Sequence, residues 1–309
     1  MRISKNFLSG QELTSIKTMQ RKSIHPEGPV FSRIIAGAWR WHTVPAETVE
    51  QLINVSLEAG ITTFDHADIY GDHGNEEIFG KVIKKNPALR KKMELVTKCG
   101  IKFPSTRRPN TWFKHYDTSK EHIIWSAENS LQMLGTDHID LLLIHRPDPL
   151  LSPQEVAEAF VTLKKAGKVL HFGVSNFTSA QFEVLQQSLP FPLVTNQIEL
   201  SLSRTEPLFD GTLDTLMKHK ASPMAWSPLG GGKLVSEQND ILFAKRATYN
   251  ATESQLSLAW LLRHPSQIFP VIGTTKPERI VESAKAIDML LDRQDWFEML
   301  KAATGNDIA

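Results

Sequence analysis

Cysteine is almost missing: Cys99 stands alone in 309 residues, so no internal disulfide can form. A lone thiol suits a reducing compartment. The opening stretch MRISKNFLSGQELTSIKT also lacks the unbroken apolar core of a secretory signal, and the expected location is the cytoplasm. An excess of charge of either sign is missing too. With 35 Lys and Arg against 34 Asp and Glu, the net charge is +1, which favours neither nucleic acid nor an anionic membrane as a partner. No apolar run approaches the ~20 residues that cross a bilayer, and no short repeat or low-complexity tract is visible. The G-x-x-x-x-G-K-[ST] phosphate loop is absent, no G-x-G-x-x-G stands in the setting a Rossmann unit needs, and no H-x-H pair opens a metal site. What remains is a chain 41% hydrophobic and 22% charged, long enough for one large α/β barrel or two smaller domains.

Short apolar runs alternate with longer amphipathic ones. The runs are FSRIIAGAW (31–39), ITTFD (61–65), MELVTK (93–98), IDLLLIH (139–145), VLHFGVSN (169–176), FPLVTNQ (191–197), SPMAWSP (222–228) and IFPVIGT (268–274). Between them lie helical patterns: AETVEQLINVSLEAG with a glycine stop, SKEHIIWSAENSLQMLG with a serine cap, and SPQEVAEAFVTLKKAGK with serine, proline and glycine where start and stop signals belong. NEEIFGKVIKKN, TSAQFEVLQQSL, FDGTLDTLMKHK, TESQLSLAWLLRHP and KPERIVESAKAIDML continue the alternation. Near-continuous apolar strands joined by helices imply a parallel sheet, and eight repeats imply closure into a (β/α)8 TIM barrel. RQDWFEMLKAA lies beyond the eighth unit as an extra C-terminal helix, expected to cap one end or the outside. Residues 1–20 are expected to be an extension, and residues 21–309 a single barrel domain.

In such barrels chemistry gathers at the C-terminal ends of the strands. Every exit here carries a polar side chain: Asp65 with Tyr70 close behind it, Lys98, His145, Ser175 with Asn176, and Asn196 with Gln197. A lysine ending an apolar strand needs a partner, and Asp65 on the neighbouring strand can supply one. A structural ion pair beside a surface tyrosine would explain that much. The same residues also make a proton-transfer set. A phenol with a reference pKa near ~10 exchanges its proton near neutrality only with help from a nearby cation, which Lys98 could give, while His145 could orient a carbonyl oxygen. Proton donation to a carbonyl oxygen requires hydride at carbon, which no side chain provides, so a nicotinamide cofactor follows.

FDHADIYG, VTKCGI, LLLIHRPDPL, HFGVSNF, TNQIE, AWSPLGGG and VIGTTKPERI, in that order, resemble the aldo-keto reductases, and within them the bacterial YdhF-like oxidoreductases. The resemblance covers nearly the whole chain from about residue 20. It implies a catalytic tetrad of Asp65, Tyr70, Lys98 and His145, with Tyr70 as general acid, Lys98 and Asp65 tuning it, and His145 orienting the substrate carbonyl. It implies that Ser175, Asn176 and Gln197 hold the nicotinamide carboxamide, and that Trp226 lies against the ring. Gly37, Ala38 and Trp39 contribute from the first strand exit. Ser227, Pro228, Leu229, Gly230, Gly231, Gly232 and Lys233 form a loop whose glycines let backbone amides approach a pyrophosphate. Gly273, Thr274, Thr275 and Arg279 surround the adenosine ribose, with Glu282 and Ser283 near the adenine. Arg279 offers a planar cation for a 2′-phosphate, so NADPH is expected, with NADH as the second candidate. Many members of the family carry a lysine where Gly273 stands, and Lys276 is the available substitute.

Trp39 and Trp41, with Trp112, Phe113, His115 and Tyr116 from the long loop CGIKFPSTRRPNTWFKHYDTSK, are candidate pocket walls for a small carbonyl substrate. His66 is expected to pack beneath Lys98 rather than face that pocket. Two other classes stay open at this point: a nucleotide-binding regulatory protein with little turnover, as the resemblance to potassium-channel β subunits allows, and a metal-dependent barrel hydrolase using Asp65, His66, Asp68, His145 and Asp148. The expected activity is NADPH-dependent reduction of an aldehyde or ketone to an alcohol.

Overall fold

Eight parallel strands close into a barrel in chain order: β1 (Ile35–Gly37), β2 (Thr63–Asp65), β3 (Glu94–Cys99), β4 (Ile139–Ile144), β5 (Val169–Ser175), β6 (Leu193–Glu199), β7 (Met224–Trp226) and β8 (Phe269–Ile272). The computed structural model describes residues 21–236 and 240–307, so the extension expected over residues 1–20 lies outside the described residues. Val96, Leu141, Leu143, Val194, Met224, Phe269 and Val271 fill the barrel interior. Alternate residues of the same strands face the helices that cover the barrel, where a larger core includes Leu142, Phe160 and Phe172.

The apolar run FSRIIAGAW does not make one strand. Ser32 interrupts it: its hydroxyl donates to the Ile34 carbonyl at 2.7 Å and accepts from the Thr62 and Thr63 amides at 3.2 Å. The residues before the break, Val30–Ser32, pair antiparallel with Arg21–Ser23, and Ile24 and Phe31 from this hairpin are fully buried in the barrel interior. The Ser222 amide, ahead of β7, donates to the Ile24 carbonyl at 2.9 Å. The hairpin therefore plugs the end of the barrel where the strands begin and leaves the other end for chemistry.

Helix boundaries follow their local signals. Ser119 caps Lys120–Leu134 and Ser152 caps Pro153–Lys165, while Thr178 and Thr252 form capping boxes for Ser179–Gln187 and Glu253–Leu262. The final helix, Arg293–Thr304, lies on the outside: Trp296 stacks on Trp260 with ring centroids 4.9 Å apart, and each indole N–H donates to the other residue's carbonyl. Two features had no counterpart in the sequence reading. Helix Asp240–Tyr249 follows the glycine loop and is tied to Asp295 by Lys245 and Tyr249. Within the loop after β3, Ile101–Lys102 pairs with His115–Tyr116 as a short antiparallel hairpin. Among the described residues no helix is long and apolar enough to cross a membrane.

Candidate active site

Strand alternation aims the catalytic candidates inward. Lys98 shares a face with Val96, and His145 shares one with Leu141 and Leu143, so all point along the barrel axis. β6 needs a correction to this parity. Its pairing with β5 shifts register between Leu193 and Asn196, and after that irregularity Gln197 crosses the barrel mouth to donate to Asp65 Oδ1 at 2.9 Å. Asn196 is turned instead towards the loop after β5, where it bonds both the amide and the carbonyl of Phe177.

Lys98 Nζ is the hub. It donates to Asp65 Oδ2 at 2.7 Å, to the His66 carbonyl at 2.7 Å and to the Tyr70 hydroxyl at 3.2 Å, with no solvent exposure. The Tyr70 ring meets His145 edge-on with centroids 5.9 Å apart. Burial opposes the Lys98 ammonium, but Asp65 and Tyr70 outweigh it and hold its pKa above the usual lysine value. Burial, opposed by the charge on Lys98, raises Tyr70 above the ordinary phenol value, so the proton stays on the resting hydroxyl. Burial, followed by the charges of Lys98 and Arg146, drives His145 well below its usual value, and it remains a neutral imidazole. His66 packs under the site as expected: it is fully buried against Phe79, and burial and Lys98 lower it to about 3.

A second chain of hydrogen bonds continues from this hub. Ser175 Oγ donates to the Gln197 carbonyl at 2.9 Å, Asn176 Nδ2 to Ser175 Oγ at 2.8 Å, and Trp226 Nε1 to Asn176 Oδ1 at 2.9 Å. Asn176 and Ser227 both hold positive φ, 60° and 52°, although neither is glycine. Such strain is kept only where surrounding contacts over-determine it, and it concentrates at functional sites.

These residues line one elongated cavity of about 1050 Å³. Gly37, Trp39, Asp65, Tyr70, Tyr116 and His145 border it at the tetrad end; Ser175, Asn176, Gln197 and Trp226 form its middle. Ser227, Pro228, Leu229, Gly231, Gly232 and Lys233 follow, and Gly273, Thr274, Thr275, Arg279, Glu282 and Ser283 close the far end. Lys98 stands behind this wall. Gly230 turns away, since a Cβ there would lie 2.4 Å from Ser203 Oγ, and Ala38 is fully buried with its carbonyl bonded by Asn75.

Four pocket-wall expectations need correction. Trp41 is 1% exposed and packs between Phe64 and Phe79, its indole donating to the Thr274 carbonyl at 3.1 Å. It supports the cavity floor from the core. Trp112 is 87% exposed, and neither it nor His115 borders the cavity. The hairpin explains this: Tyr116 pairs with Ile101 and both face the cavity, whereas His115, one residue along, faces the other way. Exposed Phe113 likewise lies outside it. The hairpin delivers Lys114 instead, and Arg40 and Arg146 also line the cavity. Arg146 carried an available signal, since it directly follows the strand-exit histidine.

The donor set fits a dinucleotide. Gly231 and Gly232 adopt positive φ, and a Cβ at either would meet nothing within 4 Å, so their backbone is open to a close-approaching phosphate. Arg279 and Lys276 supply cations at the far end, and Arg40 Nη1 donates to the Gly273 carbonyl at 3.1 Å. For the hydrolase alternative, no group of three or more His, Cys, Asp or Glu among the described residues is placed to hold a metal ion.

Comparison with known proteins gives consistent matches. The model of the aldo/keto reductase family matches residues 33–303. Oxidoreductase YdhF of Escherichia coli is 48% identical over 299 residues, covering 94% of this chain and 99% of that protein. The 6-dehydroglucose reductase of Agrobacterium fabrum is 47% identical over 289 residues, covering 90% and 96%. An aldo/keto reductase from Klebsiella pneumoniae, solved in complex with NADP and acetate, superposes with a TM-score of 0.76 at 26% identity, covering 90% of this chain and 93% of that one.

Proposed function

This chain belongs to the aldo/keto reductase family, and on that premise we propose that it reduces an aldehyde or ketone to an alcohol with NADPH, with Tyr70 as the general acid. The observation that carries the reading is the contact of a fully buried lysine with both Asp65 and the Tyr70 hydroxyl at the mouth of a dinucleotide-sized cavity. Bound NADPH would supply the hydride.

The chain's own residues would do the rest. Tyr70, protonated at rest, donates its proton as negative charge grows on the carbonyl oxygen, and the adjacent Lys98 ammonium stabilises the phenolate left behind. Asp65 keeps that ammonium charged and fixed, and Gln197 holds Asp65 in place. Neutral His145 can donate a hydrogen bond to the same oxygen without competing as an acid. Ser175, Asn176 and Gln197 would hold the carboxamide against Trp226, while the glycine loop and Lys233 would take the pyrophosphate. Arg279 and Lys276 favour a 2′-phosphate and therefore NADPH over NADH.

The test is loss of NADPH absorbance over a panel of aldehydes, ketones and quinones, with NADPH binding measured in parallel. Turnover of several substrates supports the reading. Tight NADPH binding with no turnover on any of them would move the chain to a regulatory role.

A further inference from the structure

Arg146 is a half-buried cation on the cavity wall, immediately after His145. Its guanidinium lies over the Trp226 ring, 5.5 Å from the centroid, and its charge is felt at Tyr70 and His145. Among the described residues no carboxylate pairs with it. Lys114, brought to the same end by the hairpin after β3, likewise has no acidic partner there. The acids that do line the cavity are committed elsewhere: Asp65 to Lys98 and Gln197, and Glu282 to Thr252 at the far end. Lys233, Lys276 and Arg279 lie along the stretch assigned to the nucleotide phosphates. Arg146 and Lys114 are left at the tetrad end, where a half-buried guanidinium without acceptors is costly unless a ligand supplies them.

We propose that Arg146 and Lys114 form a cationic subsite for the tail of the carbonyl substrate, so that the enzyme selects carbonyl compounds rich in oxygen acceptors over apolar aldehydes. The inference rests on the reductase reading above and adds two cations to the largely aromatic pocket walls expected from the sequence. Its place over the Trp226 ring leaves the guanidinium N–H groups without an acceptor among the described residues and available to hydroxyl, carboxylate or phosphate oxygens. Lys114, exposed just ahead of the His115–Tyr116 strand, contributes the smaller share.

Matched aldehydes separate these sources: butanal against succinic semialdehyde, and glyceraldehyde against glyceraldehyde 3-phosphate, in wild type, Arg146→Leu, Arg146→Lys and Lys114→Met. The wild-type kcat/KM is expected to favour the oxygenated aldehydes over butanal by about 10- to 100-fold, the range expected for a hydrogen bond to a charged group. Arg146→Leu should collapse that ratio to within about threefold, Arg146→Lys should keep part of it, and Lys114→Met should lower it only a few-fold. Higher activity on glyceraldehyde 3-phosphate than on glyceraldehyde assigns the subsite to anions; the reverse order with the ratio over butanal intact assigns it to hydroxyls. Butanal reduced as well as the others, or equal losses on all four in Arg146→Leu, overturns the proposal. If wild type reduces no aldehyde, the reductase reading fails. Calorimetric titration with succinate and glycerol 3-phosphate then decides the subsite: binding weakened at least tenfold in Arg146→Leu upholds it, and equal binding overturns it.

Discussion

Removing the Lys98 ammonium should expose how the site is held together. In Lys98→Met, Asp65 would remain 3% exposed with Gln197 as its one remaining side-chain partner, and the His66 carbonyl would lose its bond from the ammonium. Breaking one side of a buried ion pair costs about 3–5 kcal/mol, because the other charge is left uncompensated. At roughly 2 °C per kcal/mol for a chain of this size, that is a fall in Tm of about 6–10 °C. Asp65→Asn should cost a similar amount by stranding Lys98. The double variant Lys98→Met/Asp65→Asn removes both charges and should be much less destabilised than the sum of the singles, with a coupling of at least about 2 kcal/mol. The assay is urea unfolding and thermal unfolding of all four proteins, each followed by far-UV circular dichroism. Additive losses, or a Lys98→Met Tm within 2 °C of wild type, would refute the reasoning that this pair is buried and mutually dependent.

Stability should also respond to pH through two acids packed behind β3. Burial raises Asp68 to about 8 and Glu76 to about 7; Asp68 accepts from Ser126 and Glu76 from Thr97. Between roughly pH 4 and pH 8 the folded protein therefore holds protons that the unfolded chain has lost, so stability falls as pH rises through that window. Asp68→Asn should remove a few kcal/mol of that fall, read as a flatter plot of Tm against pH; an unchanged slope contradicts the assignment. Gly80→Ala should cost about 3 kcal/mol or more, because the added Cβ would lie 1.9 Å from the Met133 carbonyl on the neighbouring helix, and a Tm within 2 °C of wild type counts against it. Arg279→Ala should weaken NADPH binding about tenfold or more while changing NADH binding far less, measured by fluorescence titration; equal weakening of both would remove its role at the 2′-phosphate.

Strand exits were legible in the sequence because a polar side chain at the end of an apolar run is costly without a purpose, and Asp65, Lys98, His145 and Ser175 each stood out in that way. The serine caps Ser119 and Ser152 marked two helix starts for a similarly local reason. What the sequence hid depended on parity and on distant partners. Ser32 splits an apparently continuous strand because its hydroxyl is engaged with Thr62 and Thr63, about 30 positions away. Gln197 faces the site only because the register shifts within β6. Trp41 and Trp39 look equivalent in AWRW, yet one is core and the other 55% exposed, and only the turn into the short helix at Trp41–Thr43 separates them. Helix Asp240–Tyr249 carries a weak amphipathic pattern and is secured through Asp295, far along the chain.

The central claim is that Tyr70, held by Lys98, gives the proton that completes carbonyl reduction. The most direct measurement is single-turnover oxidation of enzyme-bound NADPH in Tyr70→Phe, using the best aldehyde found for wild type, with NADPH affinity determined on the same samples. Loss of a general acid predicts a rate at least about 10²-fold lower with NADPH affinity within a few-fold of wild type. A Tyr70→Phe variant that consumes NADPH at the wild-type rate would contradict the account.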